Sequence, residues 1–415
     1  MDMRELKALE IAARLPIAFA DGVWVVPSQS SSAKYRVNLD APSCTCEDFS
    51  LRGSLCKHIH AARLVRERDH GGKAPTMNTD VIPKRPTYKQ NWPAYNLAQM
   101  TEKKRFQELL VDLCRGMKEE QPEKRGRGRP KTSMADIVFT CGLKVYTTFS
   151  SRRFACDLKD AYENGHISHL LHSVSVCAFL ESKELTPVLE ELITITSLPL
   201  KAVETVFAPD STGFSTSRFV RWYDEKYGVQ RSSKDWVKAH AMCGVKTNVV
   251  TAVRIEGRDA ADCPQFKPLV EATVKSGFNV QEVPADKAYL SKENLELVAG
   301  LGGTAFVPFK TNSLENDGVW AKMYHYFQFR REEFLKHYHQ RSNAESTFSM
   351  IKAKFRDHVR SKTDVAMKNE VLCKFLCHNI CCVIMSQCEL GIEAAFWPEE
   401  PNAATPQVLP MVRPG

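Results

Sequence analysis

Apolar positions fall into blocks of different period along the chain. Val23 to Val26 and Tyr35 to Leu39 alternate or run apolar around the turn-rich stretch Pro27 to Ala33, which predicts a hairpin. A short helix is expected from about His58 to Arg66. Residues from about Gly71 to Trp92 are rich in Pro, Gly, Asn and Lys without apolar periodicity, as a linker would be. Leu97 to Met117 has helical spacing and is followed by the charged run Lys118 to Lys131. Ser133 and Asp136 are candidate caps for a helix running through Val145. Ser151 to Tyr162, closed by Asn164-Gly165, His169 to Glu181, and Thr186 to Thr196 extend this into a helical block.

From about Val203 the pattern changes. Val206 to Ala208, Trp236 to Lys246 and Val249 to Ile255 read as three strands, with Thr247-Asn248 as a turn between the last two. A helix from Gln265 to Lys275, a strand from Val280 to Pro284, a helix from Lys292 to Ala299 and a strand from Thr304 to Phe309 follow. One long helix is expected from about Glu332 to Phe355 and another from Lys368 to Cys388. Three antiparallel strands followed by alternating helix and strand make an α/β arrangement, a mixed sheet with flanking helices that suits a ribonuclease H-like fold. The expected organisation is a small ββα module at 1–75, a basic linker at 76–132, a helical block at 133–200, the mixed-sheet domain at 201–392 and a flexible tail at 393–415. No internal repeat is present.

Composition narrows the function classes only slightly. With 43% apolar and 26% charged residues, the 415-residue chain has the make-up of a globular protein. The net charge of +8 and pI near 8.7 allow a polyanionic partner without requiring one. Asp2, Glu5, Glu10 and Arg14 interrupt the first twenty residues, which argues against a secretion signal. Lys374, His378 and Asn379 interrupt the most apolar stretch, Val371 to Cys388, so no membrane span is expected. Fourteen cysteines are then expected to be thiols, metal ligands or small core residues of a cytoplasmic, nucleoid-associated protein.

Three acids stand where such a mixed sheet would place a two-metal site. Asp210 follows the first strand, Asp286 the fourth, and Glu345 lies in the long helix. Cleavage of a phosphodiester requires stabilising both the attacking and the leaving oxygen, which two divalent ions about 4 Å apart can do. Carboxylates from separate elements supply the hard oxygen ligands that magnesium or manganese prefers. Tyr338, Arg341, Glu345 and Lys352 recur at helical intervals, and at ~100° per residue they would fall within roughly 60° of one another. Arg341 can fork onto a phosphate, Lys352 can act as a point charge, and Tyr338 can stack on a base. An Arg–Glu pair four residues apart is by itself the usual face of a solvated helix, and a lone Asp in a turn is commonly a cap. The case rests on the three positions together.

The run from Tyr338 to Lys352 resembles the Tyr-Arg-Glu-Lys signature of insertion-sequence DDE transposases. Ala285-Asp286-Lys287-Ala288-Tyr289 and Val307-Pro308-Phe309-Lys310 are similar to that family's second-aspartate region and the strand after it, and Asp210-Ser211-Thr212-Gly213 to its first-aspartate motif. The resemblance spans roughly Thr132 to Glu389. It implies that Asp210, Asp286 and Glu345 hold two magnesium or manganese ions. These would activate water to cut the element's ends and then the freed 3′-hydroxyl to attack target DNA. It further implies that Tyr338, Arg341 and Lys352 hold the DNA end, and that the chain acts as a homodimer. The interval between Asp286 and Glu345 leaves no room for the β-rich insertion some members carry. A silenced DNA-binding descendant and a nuclease without strand transfer are the alternatives; retention of all three acids disfavours the first.

Two further motifs concern metal and DNA. Cys44, Cys46, Cys56 and His58 form a Cys-x-Cys…Cys-x-His pattern whose four soft or borderline ligands suit a closed, structural zinc site. The pattern resembles the SWIM zinc finger, which implies contact with DNA or protein; His60 is a spare ligand. Arg127-Gly128-Arg129-Pro130 resembles an AT-hook, whose arginines enter a narrow minor groove, and reads equally as a solvated basic linker. Cys373, Cys377 and Cys381 share a helix face beside His378, where packing is the expected role. His166, His169 and His172 receive no role.

Overall fold

The computed structural model describes residues 3–29, 33–69, 91–117, 131–216, 236–257, 259–310, 313–314 and 316–397. The expected AT-hook arginines Arg127 and Arg129, with residues 76–90 and 118–130 of the expected linker and residues 398–415, lie outside the described residues, while the rest of that linker includes a helix, Trp92–Arg115. The chain divides into two compact units, Met1–Lys89 and Gln90–Gly415.

The amino-terminal unit places α1 (Met3–Arg14) before four strands, β1 (Ala18–Ala20), β2 (Val23–Pro27), β3 (Lys34–Asn38) and β4 (Ser43–Cys44), which pair antiparallel in chain order. The predicted hairpin is β2–β3, with Trp24 opposite Val37. Strand β1 was not expected. Its signal is Asp21-Gly22, whose φ of 53° and 76° give the two-residue turn that matches strand twist. Helices α2 (Glu47–Arg52) and α3 (Lys57–Asp69) follow, the first ending on Gly53 at φ 61°. Ile59, Ala62 and Val65 of α3 pack with Ala8, Ile11, Val26 and Val37 into a small core of their own.

The second unit opens with α4 (Trp92–Arg115), α5 (Met134–Thr147), α6 (Ser151–Glu163), α7 (Ser175–Leu180) and α8 (Leu185–Ser197). Ser133 caps α5 by accepting from the Asp136 amide at 3.1 Å. Asp136 is not a cap; its carboxylate accepts from the Ser168 amide at 3.2 Å. The helix expected over His169 to Glu181 is confined to Ser175–Leu180.

Strands β5 (Phe207–Ser215), β6 (Trp236–Gly244) and β7 (Val250–Glu256) form an antiparallel sheet, turning after β6 at Asn248 with φ 61°. Strands β8 (Glu282–Pro284) and β9 (Thr304–Phe306) pair parallel. A parallel bridge from Val206 to Glu282, with the Gln281 amide donating to Thr205 O at 2.8 Å, sets β8 beside the start of β5. The strands therefore form two sheets, antiparallel β5-β6-β7 and parallel β8-β9, that touch at this bridge. Asp210 lies inside β5 rather than after it, opposite Ala241.

Helices α9 (Cys263–Lys275), α10 (Lys292–Gly300), α11 (Gly318–Phe329), α12 (Arg331–Tyr338), α13 (Ser342–Phe355) and α14 (Asp364–Leu390) complete the unit. Alternation along the strands splits the packing. Phe207, Met242 and Ala252 join a core with α9, α10, α11 and α12, while Ala208, Phe214, Ala239 and Ala241 face α8, α13 and α14. The helices at 133–200 share this second core with the sheet, so that block has no separate core. The single helix expected over Glu332 to Phe355 is instead α12 and α13, separated by a 3-10 turn at His339–Arg341.

Helix α14 is long and apolar enough to cross a membrane, yet 78% of its most apolar window is buried within the protein. Its polar residues act as fasteners. The Asn379 side chain donates to Ile193 O at 2.9 Å and Val250 O at 2.7 Å and accepts from the Val250 amide at 2.8 Å, tying α14 to α8 and β7. Such full satisfaction is what allows a buried amide. Cys373 and Cys377 are fully buried among apolar neighbours, as packing residues are.

Candidate functional site

The three acids come from three elements that the fold brings to one place. Asp210 is held in β5, its Oδ1 accepting from the Ser211 amide at 2.8 Å. Asp286 sits just past β8, where the Ala285 amide donates to Phe306 O at 3.2 Å and the Asp286 carboxylate caps a 3-10 turn by accepting from the Ala288 amide. Glu345 is exposed in the first turn of α13. That helix is fixed over the β6–β7 turn: Asn343 donates to Val245 O at 3.1 Å and Thr347 to the Asn248 side chain at 3.2 Å.

Arg341 is the hub of the cluster. Its guanidinium stands 2.9 Å from Glu345 and 3.7 Å from Asp286, and its charge acts on Asp210. Its Nε donates to the Tyr338 hydroxyl at 3.0 Å. Tyr338 is positioned in turn because neighbouring His337 bonds Glu282 at 2.9 Å and stacks on Phe306 with ring centres 4.5 Å apart. The Asp210 carboxyl is pushed above the usual range, first by burial and then by the charges of Glu345 and Asp262, against the Ser211 amide and Arg341.

Lys352 does not join this group. It shares the Glu345 face of α13 but stands two turns, about 10 Å, farther along the helix, and its Nζ lies 5.6 Å from the centre of the Phe214 ring. Burial lowers its pKa, with Asp357 acting the other way.

Several polar residues beside the acids gave no signal in the sequence. Asp262, at the start of α9, ion-pairs with Lys238 at 2.9 Å and lies 3.4 Å from the fully buried His240. Only the pairing of β5 with β6 and the docking of α9 place this group near Asp210.

Cys44, Cys46, Cys56 and His58 meet in the amino-terminal unit. Their ligand atoms all lie within 4.8 Å of one another, and all four residues are buried. Among the described residues this is the one group of three or more such side chains that close. The His58 Nδ1 faces the thiols, 3.8 Å from Cys44 and 3.9 Å from Cys56, and Tyr35 packs on its ring with centres 4.3 Å apart. Hydrogen bonding from Cys44 holds Cys56 low as the thiolate, and the same bond pushes Cys44 up. A thiolate already favoured among three crowded thiols, with an imidazole nitrogen turned inward, is a donor set that fits a tetrahedral zinc ion. His60, the spare ligand, lies outside the group.

Comparison with protein families gives two matches. Residues 201–380 match the family described as Transposase DDE domain, and residues 35–63 match the SWIM zinc finger. The chain carries a transposase DDE domain and a SWIM zinc finger. No curated protein and no solved structure matches it. The transposase domain spans β5 to the middle of α14 and so contains Asp210, Asp286, Glu345 and Arg341. The SWIM finger contains all four residues of the Cys/His group. For the transposase domain, two carboxylates paired with one guanidinium, and a third, Asp210, within reach of the charges of Arg341 and Glu345, are hard oxygen donors that fit divalent cations.

Proposed function

We propose that this chain is a metal-dependent DNA transposase that cuts the ends of a mobile element and joins them to target DNA. The observation that carries the reading is the pairing of Asp286 and Glu345 with Arg341, close enough to Asp210 that the charges of Arg341 and Glu345 act on it. A three-stranded antiparallel sheet bridged at Val206 to a parallel pair, with helices on both faces, supports a ribonuclease H-like catalytic domain.

Asp210, Asp286 and Glu345 would hold two magnesium or manganese ions. When bound, such ions supply activation of the attacking water or 3′-hydroxyl and stabilisation of the leaving oxygen. The protein's own residues do the rest. Asp210 is fixed by strand pairing and Glu345 by a helix pinned through Asn343 and Thr347, so the ligand set is organised before DNA arrives. Arg341, already oriented by Tyr338, can transfer its fork from carboxylates to the scissile phosphate. Lys352, two turns farther along the same face of α13, would meet a phosphate farther along the strand. Arg127 and Arg129 would track a minor groove. The Cys44, Cys46, Cys56 and His58 group would hold a structural Zn2+ that stabilises a unit with a small core of its own. We assign the protein to the cytoplasm and nucleoid, acting as a homodimer that brings two element ends together.

An assay with labelled element ends, a plasmid target and Mg2+ tests this. Cleavage and joining are expected, and Glu345→Gln should abolish both while leaving end binding intact. Cleavage without joining would reduce the reading to a nuclease, and unchanged cleavage by the variant would remove Glu345 from the chemistry.

A further inference from the structure

A cavity of about 420 Å³ lies between the end of α5, the start of α6, the end of α7 and the α13–α14 connection. Lys144, Arg356, Arg360, Lys362 and Lys374 all line it, with His358 beside them. Its acids are Glu181 and Glu370. Glu370 is already engaged: its carboxylate accepts from the Arg360 amide at 3.0 Å, the Ser361 amide at 2.8 Å and the Ser361 hydroxyl at 2.8 Å. That carboxylate therefore anchors the loop bearing Arg360 and Lys362, and its single charge, which acts on Lys374 and Lys144, is outnumbered by the five cations. His358 faces Asp357 at 3.0 Å.

The cations are held in place by the fold. Lys374, only 1% exposed, donates to Arg356 O at 3.0 Å and His358 O at 2.7 Å. Arg356 is kept at φ 75° and ψ 149°, a conformation costly for a side-chain-bearing residue, and its guanidinium donates to Thr148 O at 3.2 Å. Thr148 also lines the cavity, and it too has a positive φ, 55°. Burial and then the Arg360 charge lower the Lys144 pKa, and burial lowers that of Lys374 to about 8. Five cations around one cavity, two of them partly stripped of water, make a site that an anion would relieve. Residues at the amino-terminal end of α6 add to the field: Ser150 and Ser151 line the cavity, and the first turn carries no acid.

The cavity also bears a fixed relation to the acid cluster. Glu345 lies in the first turn of α13 and Phe355, in the cavity wall, ends it, an interval of about 15 Å at 1.5 Å per residue. That is about four to five base-pair steps of duplex at 3.4 Å each. Lys352, over the Phe214 ring, stands between them.

We propose that this cavity is a second phosphate-binding site, which takes a backbone phosphate of the same DNA whose scissile bond lies at the acid cluster. Only the identity of the polyanion rests on the transposase reading.

The test uses the full, zinc-loaded chain without added Mg2+ or Mn2+, so that cleavage plays no part, and a fluorescent duplex of about 30 base pairs titrated at several salt concentrations. Lys144→Gln with Arg360→Gln should reduce the slope of log affinity against log salt by about two, and Lys362→Gln by about one. Lys362 is exposed, so its substitution leaves the fold unburdened. Slopes unchanged in both variants would overturn the proposal. Pyrophosphate, followed by ³¹P line broadening, should bind the wild type and not the double variant. If pyrophosphate binds while duplex slopes stay unchanged, the site serves a free anion, and the DNA assignment fails. Glu345→Gln leaves all five cavity cations in place and should still bind pyrophosphate as the wild type does, so loss of cleavage in that variant bears on the catalytic reading and not on this site.

Discussion

The Arg341 guanidinium lies 2.9 Å from the Glu345 carboxylate, on the side from which Asp286 also approaches. A fork that pairs with carboxylates in one state and phosphate in another links DNA binding to the acid cluster. Arg341→Gln is expected to slow strand cleavage roughly 10²-fold, the usual cost of losing one stabilising donor. Binding of Mn2+ to the three acids should persist. Wild-type cleavage rates would show that Arg341 only holds the acids.

Asp210 should make stability depend on pH and metal in opposite senses. Burial foremost holds its carboxyl above the ordinary range. A raised carboxyl contributes stability that is complete below the ordinary aspartate value and is lost as pH rises through the raised one. Asp210→Asn should therefore raise the melting temperature of the metal-free chain at about pH 7, with the gain vanishing near pH 3. In Mg2+ at about 100 times Kd the wild type gains about 2.7 kcal/mol by mass action, and the variant should forfeit most of it. Scanning calorimetry with and without Mg2+ measures both.

Cys56→Ser should empty the SWIM finger. One zinc ion per chain is expected in the purified wild type and none in the variant, by elemental analysis. Binding energies of about 10–16 kcal/mol in zinc-finger peptides mean that chelation should also open residues 3–69 to protease while the second unit stays intact. Equal zinc content in both proteins would refute the ligand set.

Asn379→Ala removes a side chain that closes bonds to Ile193, Thr196 and Val250. The partners left unpaired in the core should cost about 2–4 kcal/mol, read by denaturant unfolding. Asn379→Ala at wild-type stability would mean that α14 is held by apolar packing alone.

The chemistry of this protein was more legible than its shape. Cys44, Cys46, Cys56 and His58 declare themselves by ligand type and spacing, and the structure closes them into one group. Asp210 was legible as a residue but not as part of a strand, because Pro209 beside it reads as a stop. β5 tolerates that proline since β8 pairs beside it only at Val206, leaving an edge where a missing N–H breaks no ladder. Helix α11 was missed because Trp320, Tyr324, Tyr326, Phe327 and Phe329 crowd it with aromatics of modest helix propensity. Its stability comes from Phe309, which packs edge-on against Trp320 and Tyr324 from outside the helix. The same limit hid the cationic cavity, whose residues are scattered between positions 144 and 374 and meet only when α5, α7 and α14 pack.

Calorimetric titration of the full chain with Mn2+, alongside a variant carrying Asp210→Asn, Asp286→Asn and Glu345→Gln, tests the central claim most directly. Two ions should bind the wild type, beyond the zinc of the SWIM finger, and neither should bind the variant. Equal Mn2+ binding by both proteins would contradict it.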